Sequence, residues 1–313
     1  MINKKLLSLF LSSIALVSSF QFSYADNEKI KTAKLIKNTL NGQIDWLNRV
    51  IRVKGQSALP DVGGIAQKRL KARVGARMEA YRNLAELVSG VQVSSESTVN
   101  NFVTESDIVK LRVDAVVKGA RQSGREKILS DGSIEVELYL PMFGNGSLAS
   151  ALDLGNYAKN KSTLANLLPY MVATTNDFAI VEEKQKEKKS YKISENNLSN
   201  ITGLIIDASN LAVEPAMAPF IIGGGRIIYT GSKIDIDPET IVKYGITEYT
   251  DDIEKAKKNI DRVGKSPLVI EASGATGNPT KTNILLDEIN ITNLLEANEK
   301  TKFLSKLGVL IVI

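Results

Sequence analysis

The chain contains neither cysteine nor histidine. Without cysteine, an exported chain has no disulfide framework and no lipid-modified cysteine at a mature N-terminus, so it must be held by its core. Without histidine, it lacks the commonest general base and zinc ligand, which excludes Ser-His triads, histidine-ligated zinc hydrolases and haem sites with a histidine ligand. Tryptophan occurs once, as Trp46, and a ring of that size is expected in the core or packed on a sheet. No long hydrophobic run is present either. The apolar stretch from Leu6 to Phe20 is interrupted by serines and falls short of the ~20 apolar residues of a membrane span.

What that stretch does resemble is the centre of a secretory signal peptide. Lys4 and Lys5 precede it, and Ser23-Tyr24-Ala25 follows as a small-x-small cleavage site before Asp26. Residues 1–25 are therefore expected to be removed, leaving a mature chain outside the cytoplasm. About 288 residues remain, room for two ordinary domains.

Charge is balanced. The chain carries 40 bases against 35 acids, and without Lys4 and Lys5 the count is 38 against 35. Acids and bases interleave along the sequence rather than forming a basic stripe with aromatics, so nucleic acid is not an expected partner.

After a polar, lysine-rich lead-in over 26–41, Ile44–Leu47 and Val50–Gly55 read as a β-hairpin or bent strand. The strongest periodic signal runs from Ile65 to Val88. Leu70, Val74, Met78, Tyr81, Ala85 and Val88 recur at three- and four-residue steps, with Ala76, Ala80, Leu84 and Leu87 widening the stripe, and predict a core-facing surface centred on Leu84 on a helix of about six turns, stopped by Gly90. Lys68, Arg69, Lys71, Arg73, Arg77 and Arg82 make its other face basic, which reads as a solvated surface or as a contact for anionic lipid or a partner. Further on, Val109, Leu111, Val113 and Ala115 alternate with polar residues and predict a half-buried strand with a bulge at Val116-Val117. Asp131-Gly132 then separates Lys127–Leu129 from the alternation Ile134, Val136, Leu138, Leu140, a hairpin signature.

The run Gly42-Gln43-Ile44-Asp45-Trp46 through Gly55, followed by Ala72-Arg73 and Ala80-Tyr81-Arg82-Asn83-Leu84-Ala85-Glu86-Leu87-Val88-Ser89-Gly90-Val91-Gln92-Val93, resembles the Lpp-twenty-like lipoprotein family. That family includes outer-membrane-associated flagellar accessory proteins of the FlgP type, and its domain is similar to part of the flagellar assembly protein FlgT. The resemblance covers Gly42 to Met142 and implies an α+β domain with a structural, assembly-related role and no active-site residues. Many members carry a lipidated cysteine; this chain has none, so the resemblance implies outer-membrane association through protein contacts and no direct lipid anchor.

Residues 144–200 change character. They open on Gly144-Asn145-Gly146-Ser147, carry weakly helical apolar patches at Leu148–Leu154 and Leu164–Met171, and include a Lys/Glu run over Glu182–Lys192, which reads as a linker with short helical segments. From residue 201 to 313, strand runs alternate with helical ones, predicting an α/β or mixed-sheet domain. The layout Thr202-Gly203-Leu204-Ile205-Ile206-Asp207-Ala208, with Pro215 to Pro219, resembles a domain found beside Lpp-twenty-like domains in larger exported proteins. The expected fold is α+β: a long helix on an antiparallel sheet over 42–143, then the second domain.

Tempting chemical motifs fail on their details. Val263-Gly264-Lys265-Ser266 imitates the end of a phosphate-binding loop, but Asn259 occupies the position of the required earlier glycine. Gly223-Gly224-Gly225 lacks the strand-to-helix context of a dinucleotide fingerprint and reads as a tight turn. Asp207, Asp235, Asp237 and Glu239 do not follow calcium-loop spacing, and Asp237-Pro238 reads as a helix start. Gly274-Ala275-Thr276-Gly277 reads as a mobile loop. No catalytic residue, metal ligand or cofactor is assigned.

The leading expectation is an exported, non-enzymatic structural or assembly protein of the periplasm or outer-membrane inner face, with a flagellar basal-body accessory as one form of it, which associates with itself and with outer-membrane or basal-body proteins. Its expected contact surfaces are the Val109–Val117 strand edge and Leu164–Met171. The alternatives are a periplasmic small-ligand-binding module near Asp207, Gly223–Gly225 and Gly274, and a hydrolase that uses paired carboxylates.

Overall fold

Inward alternation of β-branched and aliphatic residues builds the first sheet. In β6 (Ile134–Pro141), Ile134, Val136, Leu138 and Leu140 are buried while the residues between them are half-exposed. Its neighbour β3 (Val50–Ser57) buries Val50, Ile51 and Val53. A computed structural model describes residues 34–165, 198–229, 234 and 236–313. The expected signal peptide, the first part of the lead-in and the Lys/Glu run lie outside the described residues, as does Leu164–Met171 apart from a helix end at 164–165.

The sheet is antiparallel, in the order β1 (Ile36–Thr39), β2 (Gly42–Asp45), β3, β6, β4 (Arg121–Gln122), with β5 (Lys127–Ile128) also paired to β6. The end of the lead-in is thus a strand, and Leu35 before it is fully buried. The Asp131-Gly132 hairpin forms as expected, with Gly132 at φ 83 and Asp131 accepting hydrogen bonds from the Ser133 amide and hydroxyl.

Helix α1 (Ile65–Ser89) lies across β3 and β6, and it buries only one side of the broad apolar stripe that its spacing predicts. Ala72, Ala76, Ala80, Leu84 and Val88 face the sheet, whereas Leu70, Val74 and Met78 are 57%, 55% and 61% exposed. The cause is close approach. A Cβ on Gly55 of β3 would overlap Ala76 and Ala80 backbone atoms, and one on Gly75 would crowd Ser57. At that separation only small side chains fit between helix and sheet, so the row of alanines wins the core and the larger row faces out.

The predicted strand over Val109–Val117 is instead helix α3 (Asp107–Lys118), preceded by α2 (Val99–Glu105). Val109, Val113 and Val117 are spaced by four, a step common to a strand face and a helix face. Capping decides between them: Ser106 accepts from the Val109 amide, Asp107 stands in the first turn, Lys118 in the last, and Gly119 follows. Leu111, which a strand would bury, is 69% exposed. Beyond β6, α4 (Leu148–Ala151) and α5 (Leu154–Ala165) form the expected helical segments, with Leu148, Ala149, Leu152 and Leu154 fully or almost fully buried.

The C-terminal half holds two sheets. One is parallel, in the order β10 (Glu248–Thr250), β14 (Val309–Val312), β7 (Gly203–Asp207), β11 (Pro267–Glu271). The other is mixed, in the order β12 (Gly274–Thr276), β13 (Asn283–Leu286), β8 (Ile221–Gly223), β9 (Arg226–Tyr229). The Gly274 segment, expected as a loop, is therefore a paired strand. Gly224 and Gly225, at φ 55 and 69, make the tight turn between β8 and β9. Helices α6 (Pro238–Tyr244), α7 (Ile253–Lys258), α8 (Ile260–Val263) and α9 (Glu288–Thr301) complete the half. Asn259 ends α7 and caps α8, so the charged stretch from Asp251 to Ile260 is not one continuous helix.

The parallel strands are buried on both faces, as their continuous apolar runs require. Ile205, Leu310 and Val312 pack with Ala256 and Val263 of α7 and α8. Leu204, Ile206, Val309 and Ile311 face the opposite way, into a core continuous with Trp46, Leu84 and Leu140 of the N-terminal half. Backbone bonds cross between the halves as well: the Met217 and Ala218 amides donate to the Gln92 and Val93 carbonyls at 3.0 and 2.7 Å. No helix among the described residues is long and apolar enough to cross a membrane.

Candidate functional site

Where the two halves meet, charged groups gather. Arg49 sits in the turn between β2 and β3, in the left-handed region at φ 53. Asp45 shapes this turn by accepting from the Asn48 amide at 2.9 Å and side-chain amide at 2.7 Å. Arg49 reaches Glu248 at the start of β10, Nη1 to Oε1 at 3.1 Å, and donates to the Tyr244 carbonyl at 2.8 Å. Its guanidinium also lies over the Phe143 ring. The N-terminal half thereby satisfies a carbonyl left free at the C-terminus of α6.

Arg262 of α8 completes the cluster from below. Its side chain is only 6% exposed. Nε donates to the Val309 carbonyl at 3.0 Å, Nη1 to Tyr244 at 3.1 Å, and Nη2 to Gly245 and Ile246 at 3.0 and 2.8 Å. A planar five-donor fork suits this job, since one side chain satisfies carbonyls from a helix end, a turn and a strand. Glu248 supplies the counter-charge at 3.8 Å and is itself held by the Asn259 side-chain amide at 2.8 Å. Burial pulls the Arg262 pKa down from its ordinary value, and the neighbouring Glu248 and Tyr229 oppose that shift.

Two buried tyrosines line the same junction. Tyr229 donates to the Ile246 carbonyl at 2.7 Å, and Tyr249 bonds Ala216 through both its amide and its carbonyl, at 3.1 and 3.0 Å. Burial pushes both phenols above their ordinary range. The edge of the Tyr249 ring meets Trp46, centroids 5.9 Å apart, so Trp46 is the sheet-packing ring that its size predicted. Together these groups form a clamp. Arginines stay protonated and the raised phenols stay neutral at ordinary pH, so these groups fix geometry.

A second polar seam joins the Ser94–Thr98 stretch to β13. The Asn283 side chain donates to Ser95 Oγ at 3.1 Å and accepts from the Phe220 amide at 3.0 Å, and Tyr157 donates to Ser94 Oγ at 3.2 Å. These buried groups satisfy one another, as buried polar groups must.

The motifs considered in the sequence take structural places. Gly264, at φ 70, turns the chain from α8 into β11, and the Ser266 amide donates to Thr202 Oγ1 at 2.9 Å. Asp207 accepts from the Ser209 amide at the end of β7. Asp237 caps α6, accepting from the Thr240 amide and hydroxyl at 2.9 and 2.8 Å, bonds that hold its pKa below the ordinary value. Asp235 lies outside the described residues, and among those described no cluster of carboxylates is arranged to hold a metal ion. Of the positions named for ligand binding, a Cβ on Gly223 would overlap the Ile291 side chain, Gly224 and Gly225 face open space, and Gly274 lies against Leu285.

The clamp itself had no motif to announce it. Arg49 lies about two hundred residues before Glu248 and Arg262, and the local signs were slight: Asp45-x-x-Asn48 for the turn, and Asn259 as a cap.

The parallel and mixed sheets together match a known domain. Residues 203–313 are similar to the second domain of Tp0624 from Treponema pallidum. The match begins at the first residue of β7 and runs through β14, so the matched stretch of this chain includes Glu248 and Arg262 but not Arg49. No curated protein matches the chain.

Proposed function

We propose that the chain is an exported structural or assembly protein, acting without catalysis in the periplasm or at the inner face of the outer membrane. One observation carries this reading: α1 turns its large apolar residues Leu70, Val74 and Met78 outward while alanines fill its core face. Apolar side chains aligned on one face of a surface helix mark a contact surface. The interlock of the two halves through Arg49, Glu248 and Arg262 is what a load-bearing component needs, since it holds that face in a fixed frame. The resemblance to the Lpp-twenty-like family supports the same role, with a flagellar basal body as one setting.

Fractionation of cells producing the protein at native level tests the reading. The expected result is recovery with outer-membrane or basal-body material, with impaired motility or envelope integrity in a deletion strain. A purely soluble periplasmic monomer, together with normal motility and envelope, would overturn it. The second reading, a small-ligand-binding module, draws on the parallel sheet, because ligands of open α/β sheets bind outside the carboxyl ends of the strands. Against it, the segment after β7 runs from there to the N-terminal half, burying Ala208, Val213 and Ala216–Ala218.

A further inference from the structure

The outward row on α1 has a consistent electrostatic frame. Leu70, Val74 and Met78 follow one another at four-residue steps, along one line of the helix surface. Arg69, Lys71, Arg77 and Arg82 are exposed beside them. The acid within that stretch, Glu79, is half-buried and accepts from the Gln56 amide at 2.7 Å. Glu86 is exposed beyond Arg82 and Glu126 pairs with Arg73, so the charge flanking the row is predominantly positive.

We propose that this face of α1 docks on an anionic phospholipid surface, with the three apolar side chains entering the headgroup boundary and the four bases meeting lipid phosphates. Charge complementarity and area both favour this occupant. Two copies meeting face to face through α1 would set bases against bases, so a second copy is disfavoured. A protein partner seated here would bury three partly exposed side chains and their rims, a fraction of the ~800 Å² per partner of a stable interface. Binding of an amphipathic helix to a membrane surface has no such threshold; it scales with apolar area and adds the attraction of each base. The proposal rests on the contact-surface reading above and deepens it by naming what covers the surface, as an alternative to the expected association through protein contacts.

The test uses the chain beginning at Asp26, which retains every described residue and lacks the N-terminal apolar run. Flotation with vesicles of phosphatidylethanolamine and phosphatidylglycerol in equal parts should carry the protein upward, and vesicles of phosphatidylcholine should not. Arg69→Glu combined with Lys71→Glu and Arg82→Glu should weaken partitioning by at least about a hundredfold, as should salt near 1 M, where the Debye length is about 3 Å. Leu70→Ser with Val74→Ser and Met78→Ser should also release the protein. Unchanged thermal unfolding of both variants keeps the comparison clean, because all six positions are exposed.

Failure of the native chain to float, or equal flotation of the charge-reversed variant, would overturn the lipid contact. So would concentration-dependent dimerisation abolished by the serine variant, which would assign the face to a second copy. Binding to an acidic amphipathic peptide in place of the vesicles would assign it to a protein. The scaffold reading is judged separately, by fractionation and the deletion phenotype, so the two can fail independently.

Discussion

Gly55 of β3 stands directly under Ala76 of α1, so close that a Cβ on the glycine would overlap the Ala76 carbonyl oxygen. This contact sets the separation of helix and sheet, and through it the face that α1 buries. Replacing Gly55 by alanine must push the helix outward or distort the strand. Gly55→Ala is expected to destabilise by about 1–3 kcal/mol, the usual cost of overpacking, read as a lowered midpoint in chemical denaturation. An unchanged midpoint would mean that the helix rides higher than described.

The two apolar rows of α1 should respond oppositely to truncation. Leu84 is fully buried, so Leu84→Ala is expected to cost about 2–5 kcal/mol. Leu70→Ala and Val74→Ala remove side chains that stand in solvent and are expected to stay within about 0.5 kcal/mol of the parent. A large loss at Leu70 would restore the core assignment that its spacing suggested.

The clamp predicts an asymmetry between its two arginines. Arg262→Met removes the four hydrogen bonds of a buried guanidinium and leaves the Gly245 carbonyl without its side-chain donor, and is expected to cost about 3–5 kcal/mol. Arg49 is a third exposed, and Arg49→Ala is expected to cost about 1 kcal/mol or less, as solvent-screened pairs do. Thermal unfolding of the two variants side by side checks the ranking.

Stability should fall at both pH extremes, for different groups. The buried phenols Tyr229 and Tyr249 have raised values in the folded protein, so their contribution is complete below the unfolded value of about 10 and is lost as pH climbs above it. Tyrosinate absorbance from these two should appear together with unfolding, not before it. On the acid side, Asp237 and Asp131 are held down by hydrogen bonds from Thr240 and Ser133, and Glu126 by backbone hydrogen bonding and Arg73. Their contribution is present above the unfolded carboxylate values near 4 and is lost as pH falls through the lower folded ones. Denaturation midpoints measured across pH 2 to 11 should therefore trace a plateau with two declining limbs.

Much of the architecture was legible because local chemistry specified it. Asp131-Gly132 and Gly223–Gly225 supply the backbone conformations that tight turns need, Asp237-Pro238 starts a helix on its own, and the alternation of Ile134 to Leu140 admits only a strand with one buried face. The runs at Gly203–Asp207 and Val309–Val312 likewise announce fully buried strands. These features depend on residues within a few positions of one another, and the sequence contains all of them.

What tertiary structure alone decided depends on partners distant in the chain. α1 carries two apolar rows, and nothing local says which is buried; the absence of a side chain at Gly55 does, by letting the helix come so near that only alanines fit beside it, at Ala76 and Ala80. Over residues 107–118, a spacing of four serves helix and strand alike, and packing of Val113 and Val117 with capping by Ser106 selected the helix. The clamp lies furthest from view, since Arg49, Glu248 and Arg262 become neighbours only when the halves close over a common core. Periodicity reports that a face is apolar. Whether that face meets a sheet or the outside is set by distances between elements, which no single segment encodes.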